Sequence, residues 1–181
     1  VLAAFFLVAF LMWFFVPFIA DRVNVIPTAV YEYFAEGPIN DWSAGLRLAL
    51  WHAAALIFWE NPLFGSGPGT YYVEKLKLID AGLIPSEVAH FTGPHSQLFN
   101  SLYEQGIVGA LMVYSIYVAF IFHCRSHLIN NKALATSGIL LAVGFIDFGI
   151  AEVIWDINNA GVFFTIMMAL IAGKLSHGTK S

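Results

Sequence analysis

Long uncharged apolar runs alternate with short polar breaks along this chain, and the run lengths decide what each can be. Residues 1–20 carry no charged side chain and end at Asp21-Arg22. About 20 apolar residues in an α-helix cross the roughly 30 Å of hydrocarbon in a bilayer. Three later runs have the same character: 107–124, closed by His123-Cys124-Arg125; 133–150, interrupted only by Asp147; and 157–173, which opens around Asn158-Asn159. Residues 149–159 read as a tight re-entrant turn between the last two. The pattern predicts an all-α polytopic membrane protein with about four transmembrane helices, a large, partly helical segment at 21–106 and a tail at 174–181. The first run has no initiator Met or basic leader and is rich in Phe and Trp, which argues for a spanning helix over a signal peptide. Because the chain opens inside an apolar run, it reads as part of a longer protein.

Composition narrows the class further. The 181 residues are 59% hydrophobic and only 11% charged, against about 25% charged in soluble domains. Disordered and coiled-coil chains fall with that balance. With eight Lys and Arg and a net charge of -4, a nucleic-acid partner is not expected. The single cysteine, Cys124, allows neither an internal disulfide nor a metal-site spacing. Arg125 and Lys132 sit in the connection between the second and third spans, and Lys174 and Lys180 in the tail. Short loops rich in Lys and Arg stay cytoplasmic, so segment 21–106 and the Glu152/Asp156 turn are expected on the opposite face.

Segment 21–106 is too long for a turn, and long connections in compact proteins are usually functional or folded in their own right. Ser43 can cap a helix from Ala44 to about Glu60, stopped by Asn61-Pro62. That helix is apolar nearly all round, so it is buried or interfacial. Arg47, Trp51, Ala54 and Phe58 share one stripe and His52 lies away from it. Arg47 is either an arginine snorkelling to the headgroups or a fork for phosphate oxygens. The string Gly65-Ser66-Gly67-Pro68-Gly69-Thr70 is a turn rather than a nucleotide loop. No Gly-Lys-Ser/Thr follows it, and Pro68 removes an N–H that a phosphate cradle would use. Thr92-Gly93-Pro94-His95 reads as a helix start with Pro94 in first position, the helix ending at Gly106. His95 would then stand at the positive end of the helix dipole, which favours neutral imidazole and attracts anions. A lone histidine more often serves structure than catalysis, and on the residues alone both readings stay open.

Taken in order, Arg47-(x3)-Trp51, Asn61-Pro62-Leu63-Phe64-Gly65-x-Gly67-x-Gly69, Pro94-His95-Ser96-Gln97-Leu98 and Glu104-Gln105-Gly106-Ile107-Val108-Gly109 resemble the O-antigen ligase superfamily. The likeness covers most of residues 46–111, and the stretch 150–164, with Glu152, Asn158 and Asn159, is similar to a late membrane turn of that family. Ser96 stands where the family usually has Asn, and no position matches a further upstream arginine of the family; Arg22 hugs the first run.

The resemblance implies a multi-spanning enzyme of the bacterial inner membrane with a periplasmic active site. It would transfer a glycan from undecaprenyl pyrophosphate to a sugar hydroxyl of the lipid A core. His95 would be the general base and Arg47 a contact to the pyrophosphate, with no metal, cofactor or nucleotide triphosphate taking part. The lipid bilayer, the lipid-linked donor and a glycolipid or glycan acceptor are the implied partners. A polysaccharide polymerase of the same superfamily is the nearest alternative, and a protein O-glycosylating relative is another. A transporter or scaffold built around Asp147 and the broken last helices is the alternative from a different class. Asp147 is read as a helix–helix hydrogen-bonding group, Glu152, Asp156, Asn158 and Asn159 as turn formers, and Tyr71 and Tyr72 as interfacial anchors. For His52, His90, His123 and His127 the sequence identifies no partner, and Asp41 and Trp42 carry no specific sugar signal.

The orientation is directly testable. A cysteine at Glu87 is expected to react with a membrane-impermeant maleimide in intact spheroplasts, and one at Asn130 only after permeabilisation. The reverse labelling would invert the topology.

Overall fold

A computed structural model describes residues 44–177 continuously and, before them, residues 6, 7, 10, 11, 21, 24, 27, 28, 30, 31, 33, 34 and 35, all helical. Most of the apolar run 1–20 lies outside the described residues, as do Arg22, Asp41, Trp42, Ser43 and Lys180. Five α-helices follow: α1 (Ala44–Glu60), α2 (Tyr71–Asp80), α3 (Gln97–Ser126), α4 (Lys132–Ala151) and α5 (Asn158–His177). Single 3-10 turns lie at Ser86–Val88 and Ile154–Asp156, and no strand occurs among the described residues.

Three of these helices, α3, α4 and α5, are long and apolar enough to cross a membrane. They pack around Tyr117, Phe120, Cys124, Ala135, Ala142 and Phe164. Small residues set how closely they approach: a Cβ on Gly138 would stand 2.4 Å from Cys124 Sγ, a distance that only glycine avoids. The outward faces carry Leu111, Met112, Phe122, Leu140, Val162 and Leu170, all exposed. Apolar side chains in such a continuous band are solvated by lipid. The chain is an all-α polytopic membrane protein. Asn131 caps α4, its Oδ1 accepting from the Leu134 N–H at 3.3 Å. Lys174 falls in the last turn of α5 rather than in a tail, where its charge suits the helix C-terminus.

The remaining elements form a second core. Leu46, Ala49, Leu50, Ala53 and Ile57 make a buried stripe on α1 at helical spacing, and they pack with Tyr71, Ile84, Val88 and Tyr103. Tyr71 was expected at the lipid interface. It is instead buried, its hydroxyl donating to the Leu50 carbonyl at 2.8 Å. A buried phenol needs a partner, and α1 supplies one; Tyr72 stays exposed. Helix α2 was not foreseen, because ten residues with two lysines and two acids show little periodicity.

Between the two cores, α3 breaks. The chain runs from Gln97 to Ser126 as one helix except at Gly106, where φ is 66° and ψ is -169°. A break of this kind orphans carbonyls before it and N–H groups after it. The glycine turn that follows α1 supplies the missing partners. Ser66 N–H donates to the Tyr103 carbonyl at 2.7 Å and Gly67 N–H to the Glu104 carbonyl at 2.9 Å. In return, Ile107 N–H donates to the Pro62 carbonyl at 2.9 Å and Val108 N–H to the Leu63 carbonyl at 3.3 Å. The approach leaves no room for side chains: a Cβ on Gly65 would lie 2.3 Å from the Glu104 carbonyl carbon, and one on Gly106 2.3 Å from that of Leu63. Both glycines also have positive φ, 74° and 66°, so each is required twice over. The expected helix stop at Gly106 is thus a kink within α3.

A graded response follows. Gly67→Ala, at φ 93° with nothing within 4 Å of its Cβ, carries only backbone strain of roughly 1–3 kcal/mol. Gly65→Ala and Gly106→Ala add a backbone collision. In detergent melts, Gly67→Ala should lower the midpoint modestly, whereas the other two should prevent folding or lower it far more. Equal effects at all three would show that the close backbone approach is not what requires glycine at 65 and 106.

Candidate functional site

Arg47 projects from the first turns of α1, half-buried, and its Nη1 donates to the Ala151 carbonyl at 2.8 Å. Ala151 is the last residue of α4. The C-terminal carbonyls of a helix lack partners and carry its partial negative charge, so a guanidinium is favoured there. This bond uses one of the five N–H donors of arginine. Arg47 therefore points inward to protein rather than outward to headgroups.

His95 reaches the same turn from the other side. Its Nδ1 stands 3.4 Å from Glu152 Oε2, both side chains being partly exposed. Phe91 meets the imidazole edge-on at 5.6 Å. His95 was expected in the first turn of a helix. The helix starts later, at Gln97 with Ser96 at the N-cap, and His95 has a φ of 48°. Positive φ outside glycine costs roughly 1–3 kcal/mol and persists only where the surroundings impose it. The imidazole is thus presented by a strained loop residue, not by a helix dipole.

Gln97 ties these pieces together. Its Oε1 accepts from the Trp155 N–H at 3.1 Å and its Nε2 donates to Ser101 Oγ at 3.1 Å. Gly149 lets α4 pass close by, since a Cβ there would meet Gln97 Cβ at 3.2 Å. The start of α3 and the turn after α4 are held in register one residue from Ser96 and three from Glu152. On α1, Trp51 stacks on Phe99 of α3 at 5.4 Å, which fixes the helix that carries Arg47. Arg47 and His95 consequently end on adjacent residues, Ala151 and Glu152.

The turn forecast at 149–159 is present, but the reading of Glu152 as a plain turn former misses its contact with His95. A carboxylate at the end of an apolar span was the available signal. Asp147 is exposed on α4, and the expected helix–helix bond is not found among the described residues. His52, without a partner in the sequence, accepts or donates at 2.9 Å with the Tyr33 hydroxyl. These two rings, Phe34 and residues 82–87 line a cavity of about 500 Å³ that excludes both Arg47 and His95. No cluster of metal-binding side chains occurs among the described residues.

The sequence also left Lys75 unremarked. It is wholly buried, and its Nζ donates to the carbonyls of Val88 at 2.6 Å, Ala89 at 3.0 Å and Phe91. Nothing in the charge pattern separates it from Lys77, which pairs with Glu74 at 2.7 Å on the surface.

A membrane-embedded helical unit with a guanidinium and an imidazole gathered at one helix end defines a polytopic protein with a polar site at its apolar boundary. Residues 1–114 match the family described as O-Antigen ligase, well over half of the chain, and the chain belongs to that family. The match takes in Arg47, the glycine turn, His95 and Gly106; Glu152 lies beyond it. A protein of Haemophilus influenzae described as uncharacterized is 24% identical over 158 residues, which is 84% of this chain and 39% of that protein. The chain thus spans well under half the length of that relative.

Lys75 brings a pH dependence whose sign can be worked out. Burial pushes its ammonium from the usual 10.5 down to about 8, so the folded chain gives up this proton before the unfolded chain does. From about 8 to the ordinary lysine value the unfolded state binds more protons, and stability rises with pH; the gain is lost as pH falls through 8. Tyrosines, ordinarily near 10, enter only at the top of that window. The melting midpoint in detergent, taken relative to Lys75→Met, should rise from about pH 7.5 to about 9.5. A flat difference would contradict it.

Proposed function

We propose that this chain carries the catalytic segment of an O-antigen ligase-type glycosyltransferase, with His95 as general base and Arg47 as a pyrophosphate contact. The donor is a glycan on undecaprenyl pyrophosphate, and the acceptor is a sugar hydroxyl of the lipid A core. The reaction belongs to the periplasmic face of the bacterial inner membrane. Family membership supports the class, and one observation carries the assignment of roles. Two side chains 48 positions apart in sequence both end on the Ala151–Glu152 turn.

The chemistry asked of them is modest. Pyrophosphate is a good leaving group, so the barrier lies in the weak nucleophilicity of a sugar hydroxyl and in charge developing on the departing oxygen. Glu152, accepting from His95 Nδ1–H, holds the imidazole in the tautomer whose Nε2 is free of hydrogen. Nε2 takes the hydroxyl proton as the oxygen bonds to the anomeric carbon. The bond from that carbon to the pyrophosphate oxygen breaks, and its electron pair leaves with the lipid pyrophosphate. The proton on Nε2 then passes to the leaving group or to water. Arg47, anchored by Ala151, directs its remaining donors to the departing phosphate oxygens, where guanidinium geometry fits.

The test uses membranes containing the protein, an undecaprenyl-pyrophosphate oligosaccharide and a core-only lipopolysaccharide acceptor. His95→Ala should reduce transfer by about 10²–10⁴-fold, the usual contribution of a positioned base. Arg47→Lys should weaken transfer although charge is kept, because the planar fork is lost. Full transfer by His95→Ala would end the proposed mechanism, and lipid-linked chains that lengthen without capping lipid A core would move the enzyme to polymerase.

A further inference from the structure

The loop that presents His95 is anchored from a side the mechanism does not use. Three carbonyls from a stretch of four residues, those of Val88, Ala89 and Phe91, converge on the Nζ of Lys75. Converging carbonyl dipoles repel one another unless a donor group stands between them. An ammonium has three N–H donors and no acceptor, which matches three acceptors one for one. The side chain is 0% exposed, and no carboxylate among the described residues lies within ion-pair distance of it. The neighbouring carboxylate, Glu74, is engaged with Lys77. A buried cation without a counter-ion is costly, so the arrangement is not a by-product of filling a core; an apolar residue would do that better.

We infer that Lys75 is a positioning residue for His95, its ammonium gathering the carbonyls of Val88, Ala89 and Phe91 and so fixing the loop that presents the imidazole. Phe91, the last of the three, touches the imidazole with its ring. Only Thr92, Gly93 and Pro94 separate the two, and Pro94 is buried with its φ restricted. Downstream, Ser96 is buried and Gln97 is tied to Trp155. The positive φ of His95 is therefore held from both ends. Release of the upstream anchor lets His95 relax to an ordinary φ and withdraws Nδ1 from Glu152. The catalytic part of this inference rests on the glycosyl-transfer reading; the clamp itself does not.

The experiment has two readouts on the protein in membranes. The first is transfer kinetics with the undecaprenyl-pyrophosphate oligosaccharide. The second is maleimide labelling of a cysteine at Ala89, a half-buried position, the native Cys124 being buried. Lys75→Met keeps an unbranched chain and loses the charge. Its kcat should fall by about tenfold or more, because small misplacements of a reacting group are expensive, while the donor KM stays within about twofold, since Arg47 on α1 is untouched. Ala89→Cys should label about tenfold faster in Lys75→Met than with Lys75 present. Unchanged turnover, a loss confined to KM, or unchanged labelling overturns the assignment. Should Lys75→Met fail to accumulate, the Lys75 background decides alone. Labelling at Ala89→Cys as fast as at the exposed Glu87→Cys overturns the clamp, and labelling about tenfold slower supports it. If His95→Ala transfers glycan as well as the parent while the labelling contrast holds, the transfer reading falls and with it the catalytic role of Lys75, and the clamp stands.

Discussion

A helix that passes from a membrane-spanning unit into a second folded segment can change course only if the backbone groups freed at the bend find partners. At Gly106 those partners come from one turn. Pro62 and Leu63 offer carbonyls to the N–H groups after the break, and Ser66 and Gly67 offer N–H groups to the carbonyls before it. Each bond contributes a modest net amount in water, but leaving such groups unpaired in an apolar surrounding is far more expensive. Because the exchange is backbone to backbone, it demands that Gly65 and Gly106 have no side chain. The turn and the kink form one device. It fixes the end of α1 against the middle of α3 and sets the second core on the first.

The candidate site inherits its geometry from that device. Once α1 is locked along α3, Trp51 lies on Phe99 and Arg47 faces the end of α4. The start of α3 is locked in turn by Gln97 to the turn after α4. Contacts of 104 and 57 residues in sequence separation then meet at neighbouring positions. Arg47 is placed by the electrostatics of a helix C-terminus, whereas His95 is placed by strain. The strain is sustainable because a buried lysine holds one end of the loop and a buried Ser96 follows at the other.

The motifs that mark the family divide accordingly. The glycine turn and the Glu104-to-Gly109 stretch serve the interlock, and their glycines are explained by close approach alone. Arg47 and His95 are the members of the set that take no part in the interlock and contact the Ala151–Glu152 turn instead. Neither short motif would identify the class alone, since a glycine-rich turn and a glycine in a helix are common. Their order along a largely uncharged chain is informative because the two must bond to each other.

The stop at Asn61-Pro62 followed from the restriction that proline places on the residue before it, and run length and charge alone were enough for the sequence to determine the membrane class and the three described spanning helices. The free energy of placing apolar or charged groups in hydrocarbon is large, local and nearly independent of the neighbours. Arg47 was legible as a lone cation on an apolar helix, and His95 became a candidate through the ordered motifs that resemble the family. The tertiary structure alone decided that Tyr71 is a core residue, that His95 precedes its helix, that Glu152 reaches the imidazole and that Lys75 is buried. Each of these depends on which carbonyl, carboxylate or ring another segment brings within about 3 Å. Hydrogen-bond energies of that kind vanish within an ångström or two, so no periodicity along the chain can encode them.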